Sequence, residues 1–422
     1  MSNKVTGVHL FDELCKIVGS EYVFLDKETL FQYSHDETED LSYLPEIVVK
    51  PGSAEEIGRI LIFCNHEKIP VTPRGAGTGL SGGALPVCGG VLLSMERFNE
   101  IIEIDEKNFQ ATVESGVITE VFQDAVKRKG LYYPPDPSSR GSCFLGGNLA
   151  ESSGGPRAVK YGITRDYVLN LEVVLPTGEI VWTGANVLKN STGYNLTQLM
   201  IGSEGTLGII TKIVFKLIPH PDQDLVLLVP FKRIEDACEA VSAIFKAGIT
   251  PSALEFMEKD AILWSAQYLN LPMPVLDDIE AHLLIEVDGN DLNVLYTEIE
   301  KVFSVVDAYN IGEPLLGENS RQKEGLWKLR RNVAHAVKVN SIYKEEDTVV
   351  PRGSLPQLIK GVKEIGERYG FKSVCYGHAG DGNLHINIIK GELSKEQWEV
   401  NVTEGIKDIF KLCVALKGTI SG

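Results

Sequence analysis

The sequence predicts an α+β protein of two domains, the second of which is built on an antiparallel sheet. Up to residue 220, strands and helices alternate around glycine-rich loops. From Leu225 onward, strand–helix–strand segments follow one another without such loops. The run Ile218-Pro219-His220-Pro221 is typical of a chain that leaves a domain. We therefore expect domains at residues 1–220 and 221–422, each long enough to bury its own core.

The composition indicates the cellular compartment and argues against some classes of partner. The formal net charge of -17 disfavours nucleic acids and anionic membrane surfaces. The 7 cysteines are scattered without a C-x-x-C pair, which fits a reducing compartment. The N-terminal segment lacks the apolar core of a signal peptide, and no apolar run has membrane-spanning length. These features predict a cytoplasmic protein without a transmembrane segment, while peripheral attachment through a partner subunit stays open.

Periodicity, capping and turn signals assign the secondary structure. Ser53 has the position of an N-cap, with Glu56 where a capping box places its acid. In the first domain we predict helices at 8–18, from 53 onward and at 118–130, and strands at 46–51, 69–72, 91–93, 101–105, 111–117, 167–175, 180–183 and 211–217. In the second we predict strands at 225–230, 253–257, 282–288, 373–378 and 384–389, and helices at 234–247, 259–268, 293–303, 356–369 and 395–416.

The loop at residues 73–83, P-R-G-A-G-T-G-L-S-G-G, stands between two apolar strands. Its alternating glycines let backbone N–H groups turn towards one point, which favours binding of phosphate or pyrophosphate. Residues 77–82 match G-x-G-x-x-G, but that fingerprint requires a helix to begin inside it, and a strand follows here. The loop also lacks the G-K-[ST] of a Walker A motif. We therefore expect a phosphate-binding loop that is neither of the Rossmann nor of the P-loop type.

Two further segments have the composition of ligand-binding backbone. Residues 133–161 form a long stretch of poor periodicity, rich in Pro, Gly and small hydroxyl residues. Residues 202–210 form a second glycine-rich turn that runs into a strand. Both segments are expected to lie against the same ligand as the first loop.

Four motifs in a fixed order carry a family resemblance. They are the loop at 73–83, G-G-N-L-A-E-S-S-G-G at 146–155, G-S-E-G-T-L-G at 202–208 and Y-G-H-A-G-D-G-N-L-H at 376–385. Together they resemble the FAD-linked D-2-hydroxyacid dehydrogenases, the family of the glycolate oxidase flavin subunit, D-lactate dehydrogenase and D-2-hydroxyglutarate dehydrogenase, within the vanillyl-alcohol oxidase superfamily. The resemblance covers nearly the whole chain.

The resemblance implies a bipartite FAD-binding domain of the vanillyl-alcohol oxidase type, followed by a substrate-binding cap domain. In that family the first loop holds the pyrophosphate, and the other two segments contact the flavin or the nucleotide end. Because this loop has neither His nor Cys, we expect non-covalent FAD. The implied cofactor-binding residues are Pro73, Arg74, Gly75, Ala76, Gly77, Thr78, Gly79, Leu80, Ser81, Pro135, Asp136, Ser139, Gly147, Asn148, Ser152, Ser153, Gly154, Gly155, Tyr161, Glu204, Gly205, Gly208 and Ile209.

The resemblance also implies two sites in the cap. His378 and His385 would bind a divalent metal, expected to be zinc, with Asn387 as a nearby polar contact. Arg330 and Lys344 would hold the carboxylate of a small 2-hydroxy acid. From the residues alone, the two cations are better explained as solvated surface charge, and the histidines as part of an ordinary hairpin; the resemblance reverses both preferences.

The spacing of the two histidines predicts their geometry. Asp381-Gly382 is a favoured two-residue type I′ hairpin turn, and that turn would place His378 opposite His385. Opposed residues have Cβ atoms about 4.5–5.5 Å apart. Both imidazoles would then reach one ion, and Asn387 would point to the same face.

The implied activity is oxidation of a D-2-hydroxy acid of the glycolate or D-lactate type to the 2-oxo acid, with hydride transfer to flavin N5. The electron acceptor stays open; an electron-transfer flavoprotein or an iron–sulfur subunit is one option, and a homodimer is another possible assembly. The family continues after Thr419-Ile420-Ser421-Gly422 with Glu-His-Gly, the third metal ligand and the general base. The alternative therefore stays open that this chain is a catalytically incomplete flavin-binding or assembly subunit.

Overall fold

The computed structural model describes residues 7–38, 41–271 and 278–421, which form two compact units. The first unit contains the chain up to Gly154 and Gly162–His220. The second contains Gly155–Tyr161 and the chain from Pro221 onward. Each unit combines helices with β-sheets, which confirms the predicted α+β class. Across the described residues, no helix has both the length and the apolarity to cross a bilayer.

A four-stranded sheet of the first unit carries the first glycine-rich loop. Its order is β1-β2-β4-β3, with β1 antiparallel to β2 and the other pairs parallel. Ser53 is the N-cap of α3, as predicted. The Glu56 carboxylate accepts a hydrogen bond from the N–H of Gly52 (2.6 Å), whereas a capping box would bond it to the N–H of Ser53. The elements are α1 (Gly7–Val18), β1 (Val23–Phe24), α2 (Lys27–Gln32), β2 (Ile47–Val49), α3 (Ala54–Glu67), β3 (Val71–Arg74) and β4 (Val91–Ser94).

A five-stranded antiparallel sheet, in the order β5-β6-β10-β8-β9, follows in the same unit. Two short helices, α5 and α6, lie in the stretch that was predicted to be irregular; α6 belongs to the second unit. The elements are β5 (Ile101–Asp105), β6 (Gln110–Glu114), α4 (Thr119–Lys127), β7 (Leu131–Tyr132), α5 (Leu145–Glu151), α6 (Ala158–Tyr161), β8 (Val168–Val174), β9 (Ile180–Trp182), α7 (Leu196–Met200), β10 (Ile209–Lys216) and β11 (Ile218–Pro219), the last paired with β7.

The second unit is organised on an eight-stranded antiparallel sheet in the order β15-β12-β14-β13-β17-β18-β16-β19. Its strands are β12 (Gln223–Phe231), β13 (Ala253–Glu258), β14 (Ala281–Gly289), β15 (Leu315–Gly317), β16 (Tyr343–Val349), β17 (Lys372–Gly377), β18 (Asn383–Ile389) and β19 (Thr419–Ile420). Its helices are α8 (Ile234–Lys246), α9 (Lys259–Tyr268), α10 (Leu292–Val306), α11 (Ser320–Arg331), α12 (Val333–Asn340), α13 (Leu355–Tyr369) and α14 (Lys395–Ala415).

The two faces of this sheet have different coverings. Helices α8, α10, α13 and α14 cover one face with a large apolar core. Helices α9, α11 and α12 cover the other face with a smaller core that includes Met257, Trp327 and Tyr376. Buried charged side chains lie on this second face, because Glu255, Glu286 and Tyr376 alternate with residues of the large core along their strands.

Candidate active site

A cleft opens in the first unit between the loop after β3, helix α5 and the turn before β10. Most of the predicted cofactor-binding residues line it, although they come from three distant parts of the sequence. They are Pro73, Arg74, Gly75, Ala76, Gly77, Thr78, Gly79, Ser139, Gly147, Asn148, Ser153, Glu204, Gly205, Gly208 and Ile209.

Other predicted residues lie elsewhere. Gly155 and Tyr161 belong to the second unit, where the Tyr161 hydroxyl lies 2.9 and 2.8 Å from the two carboxylate oxygens of Asp288. Ser152 accepts a hydrogen bond from Arg165 Nε (2.9 Å). The remaining predicted residues outside the cleft lining are Leu80, Ser81, Pro135, Asp136 and Gly154. Residues that sequence analysis missed include Met95, Ser115, Cys143, Phe144 and Glu151, most of which stand beside a recognised motif.

Gly77 shows why the first loop needs glycine. Its φ of +71° lies in the left-handed region, where a side chain is strained. A Cβ at this position would also overlap the guanidinium of Arg74, which is folded beneath the loop. The loop can therefore keep its backbone close to a buried positive charge only if residue 77 has no side chain.

The polar groups of the cleft fit a phosphorylated cofactor. Arg74 is 8% exposed, and its Nη1 has no hydrogen-bond partner within the described chain. The same holds for the Oγ of Ser115, which lines the cleft as well. Unpaired buried donors are costly unless a ligand satisfies them. A glycine loop, an arginine and a hydroxyl facing one cleft are what the FAD pyrophosphate requires.

Two acidic side chains also line the cleft. Glu151, at the end of α5, and Glu204, in the turn before β10, both line it. Burial of the Glu151 carboxyl raises its pKa, and the negative charges of Glu204 and Asp36 raise it further. Protonation of Glu151, which these shifts favour, would reduce repulsion of an anionic ligand in the cleft.

In the second unit, Glu255 of β13 is the centre of a buried charged cluster. Its Oε2 lies 2.7 Å from Nε of Arg330, and its two oxygens lie 2.8 and 2.9 Å from Nδ1 of His378. The Arg330 Nε–H does not point along the short contact, so this is an ion pair without an aligned hydrogen bond. Burial acts to raise the pKa of Glu255, but His378 and Arg330 outweigh it and hold the pKa below its usual value.

The imidazole of His378 lies against the Glu255 carboxylate, which stabilises its protonated form. Burial acts to lower its pKa, but the Glu255 carboxylate outweighs burial and raises it. His385 differs, because burial lowers its pKa to about 4 despite Glu345 nearby. The two rings lie 5.6 Å apart between centroids, so the structure brings both predicted histidines together.

Arg330 has a guanidinium group that is not fully satisfied. Its Cζ lies 5.0 Å from the ring centre of Tyr376, and its side chain is 6% exposed. Nη2 is buried and has no acceptor among the residues that the structure describes. The sequence-based alternative of a solvated surface charge is therefore wrong for Arg330. Both amide atoms of Asn387, also predicted here, are buried and likewise unpartnered within the described chain.

Strand register corrects two predictions about the cap. His385 pairs with Tyr376, and residues 378–382 form the connection, so the predicted two-residue turn and the pairing of His378 with His385 are wrong. Lys344 pairs with Ile388 of the large core, whereas Glu345 pairs with Asn387. Successive side chains of a strand point to opposite faces. Lys344 therefore lies on the face away from Asn387, and we leave it out of the proposed site.

The metal prediction receives no direct support from ligand geometry. Among the described residues, no group of three His, Cys, Asp or Glu side chains is arranged to hold a metal ion. The bond from Glu255 to Nδ1 of His378 is nevertheless the kind of contact that orients a metal-binding imidazole.

Comparisons with known proteins agree with this architecture. Residues 45–184 match the family model of the FAD binding domain, and residues 220–422 match that of FAD linked oxidases, C-terminal domain. Glycolate oxidase subunit GlcD of Bacillus subtilis is 38% identical over 97% of this chain and 87% of its own length. D-lactate dehydrogenase of Anaerostipes hadrus is 37% identical over 100% of this chain and 89% of its own length.

The solved structure of p-cresol methylhydroxylase with bound substrate has the same fold, with a TM-score of 0.78 at 19% identity, covering 99% of this chain and 89% of that one. The two matched family models and the curated relatives define a flavin-dependent oxidoreductase. The chain belongs to the FAD-linked oxidases, which confirms the family resemblance derived from the four motifs.

Proposed function

We propose that this chain oxidises a small D-2-hydroxy acid, of the glycolate or D-lactate type, to the 2-oxo acid. The main support for this proposal is the environment of Arg330, which is buried and whose Nη2 has no hydrogen-bond partner within the described chain. A guanidinium of this kind suits a carboxylate, which it can bind through two parallel hydrogen bonds. The names of the relatives, glycolate oxidase subunit and D-lactate dehydrogenase, support the same substrate class.

FAD supplies the hydride-accepting centre when it is bound in the first unit. Arg74, Ser115 and the backbone around Gly77 would hold its pyrophosphate and neighbouring groups. We further propose that FAD is held without a covalent bond. Cys143 lines the cleft, but its thiol shares a hydrogen bond with Thr119 Oγ1 (3.2 Å). Acid precipitation should then release the yellow colour into the supernatant.

The residues of the cap would bind and orient the substrate. Arg330 would bind the carboxylate, and Glu255 would hold both Arg330 and His378 in place. We propose that His378 and His385 bind a divalent metal, zinc, which would polarise the substrate hydroxyl. Asn387 would supply a hydrogen bond from its buried amide. Electrons would leave to a separate acceptor, such as a partner flavoprotein or an iron–sulfur subunit.

Product analysis tests this function. The flavin-loaded protein should convert D-lactate or glycolate to the 2-oxo acid when an artificial dye accepts the electrons. Arg330→Lys keeps the charge but loses the planar fork, so it should raise KM more than it lowers kcat. Absence of any 2-oxo acid from a flavin-loaded protein would contradict the proposal.

A further inference from the structure

Glu286 of β14 is a buried carboxylate on which several elements of the second unit meet. It is 2% exposed. Its Oε1 accepts hydrogen bonds from Arg157 Nη2 (3.0 Å) and Ser252 Oγ (3.1 Å), and its Oε2 accepts one from Trp327 Nε1 (2.7 Å). The two oxygens therefore hold two different parts of the chain at once.

Arg157 belongs to the segment Gly155–Tyr161, which starts two residues after Ser153 of the flavin cleft. The same segment bonds to the next carboxylate on this face of β14. Lys160 Nζ lies 2.5 Å from Oδ1 of Asp288, and the Tyr161 hydroxyl contacts both oxygens of that side chain. Two carboxylates of one strand thus hold the chain that leaves the cleft.

Trp327 connects Glu286 to the carboxylate-binding arginine. It stands on α11, three residues before Arg330, so both side chains lie on neighbouring positions of one helix face. The bond to Trp327 therefore limits rotation of α11 about its axis. Ser265 adds a second restraint, because its Oγ donates to the carbonyl of Leu329 (2.5 Å).

We propose that Glu286 is a positioning residue that couples the segment leaving the flavin cleft to Arg330. The inference rests on the proposed function for the role of Arg330. Arginine and tryptophan side chains are donors only, so both oxygens of residue 286 must accept. A glutamine would direct an NH₂ group at one of the two donors. Only a carboxylate holds Arg157 and Trp327 together.

A double-mutant cycle tests this coupling. Arg157→Met removes the bond to Oε1 of Glu286, and Trp327→Phe removes the bond to Oε2 while keeping an aromatic ring. Each should raise KM for the hydroxy acid about fivefold, and the double variant should lose about threefold less than the product of the two effects. The non-additivity should disappear in a Glu286→Gln background. Additive effects in the parent would overturn the proposal, because Arg157 and Trp327 would then act independently.

The dissociation constant of FAD provides a readout that does not depend on turnover. Trp327→Phe should weaken FAD binding about threefold if Glu286 relays between the two groups. A merely local role of Trp327 would leave FAD affinity unchanged, which would also overturn the proposal. If the parent oxidises no hydroxy acid, the proposed function fails. The dissociation constants of FAD for the parent and the variants still test the role of Glu286.

Two variants control for general damage. Glu258→Gln alters another buried carboxylate of this unit, which accepts from Lys363 Nζ and the Cys375 N–H, each at 2.9 Å. It should lower stability without changing the coupling between Arg157 and Trp327. Arg157→Lys restores a positive donor and should recover part of the KM and FAD affinity lost in Arg157→Met. Coupling that disappears equally in Glu258→Gln would show general loosening and contradict a specific role.

Discussion

The Nε atom of Arg330 lies 2.7 Å from Oε2 of Glu255, and both side chains are almost completely excluded from solvent. Glu255 also contacts His378, so one carboxylate holds a buried guanidinium and an imidazole together. A buried carboxylate needs such partners, since an unpaired buried charge is strongly destabilising. This arrangement leaves Nη2 of Arg330 as the donor that a substrate carboxylate would satisfy.

Removal of the arginine should separate substrate binding from flavin binding. Arg330→Ala is expected to lower kcat/KM by the equivalent of about 2–4 kcal/mol, because the substrate carboxylate loses its charged donor. FAD content should stay at the parent level, since the flavin cleft lies in the first unit. Steady-state kinetics and the flavin-to-protein absorbance ratio check both points. Unchanged kinetics in an active protein would remove Arg330 from the site.

The role of the glycine loop can be tested with alanine variants at two glycines that have nearly the same backbone φ angle. Gly77 and Gly130 have φ values of +71° and +70°, so each alanine should cost about 1–2 kcal/mol of stability. Gly77→Ala should also lose most of its FAD, because its Cβ meets Arg74 under the loop, whereas no atom lies within 4 Å of a Cβ at Gly130. Flavin content after purification distinguishes the variants, and equal FAD in both would refute the assignment of the loop.

The affinity for FAD should fall as pH rises. The pKa of Glu151 is raised above its ordinary 4.5, so this carboxyl carries a proton over a wider acidic range in the folded protein. Ionisation adds a negative charge beside the pyrophosphate, which should cost about 1 kcal/mol, or roughly fivefold in Kd. Fluorescence titration of apoprotein at several pH values measures this change.

Glu151→Gln should bind FAD more tightly above the pKa and with a flatter pH profile. Glu106→Gln serves as the control, because Glu106 is exposed and pairs with Lys129 outside the cleft lining. A profile for Glu151→Gln that matches both the parent and the control would show that another group causes the pH dependence.

The metal proposal predicts which histidines matter. His378→Ala and His385→Ala should each lower the zinc content of the protein, because each would remove one of the two proposed nitrogen ligands. Glu255→Gln should weaken zinc binding about 10–100-fold by releasing His378. His66→Ala, at an exposed imidazole, should change nothing. Elemental analysis after dialysis measures the content, and equal zinc in all variants would exclude the site.

Local patterns predicted much of the fold because many elements carry their own signals. The helix at 259–268 agrees with α9, and the predicted strands of the second unit differ from β12, β13, β14, β17 and β18 by at most two residues at an end. Helix α5 was missed because Gly146 and Gly147 weaken the helical pattern, although the helix packs its Leu145 and Leu149 in the core. Helix α11 was missed because its sequence is dominated by charged residues.

Site residues that belong to a sequence motif could be predicted. Site residues whose position depends on the register of strand pairing could not. The glycine-rich motifs and the family resemblance that they carry predicted most of the residues that line the cleft of the first unit. Glu255 was missed because an acid within an apolar strand has no sequence signal of its own; only the tertiary fold brings it to Arg330. Lys344 was chosen one position away from the strand residue, Glu345, that faces Asn387. A one-residue shift reverses the face of a strand, and sequence alone does not set that register.

Anaerobic mixing of the flavin-loaded protein with D-lactate, glycolate and L-lactate tests most directly whether D-2-hydroxy acids are its substrates. We expect D-lactate or glycolate to bleach the visible absorbance of the oxidised flavin, and L-lactate to leave it unchanged. Arg330→Ala should bleach far more slowly at the same substrate concentration, while dithionite reduces both proteins fully. A flavin that dithionite reduces but that no D-2-hydroxy acid bleaches would contradict the account.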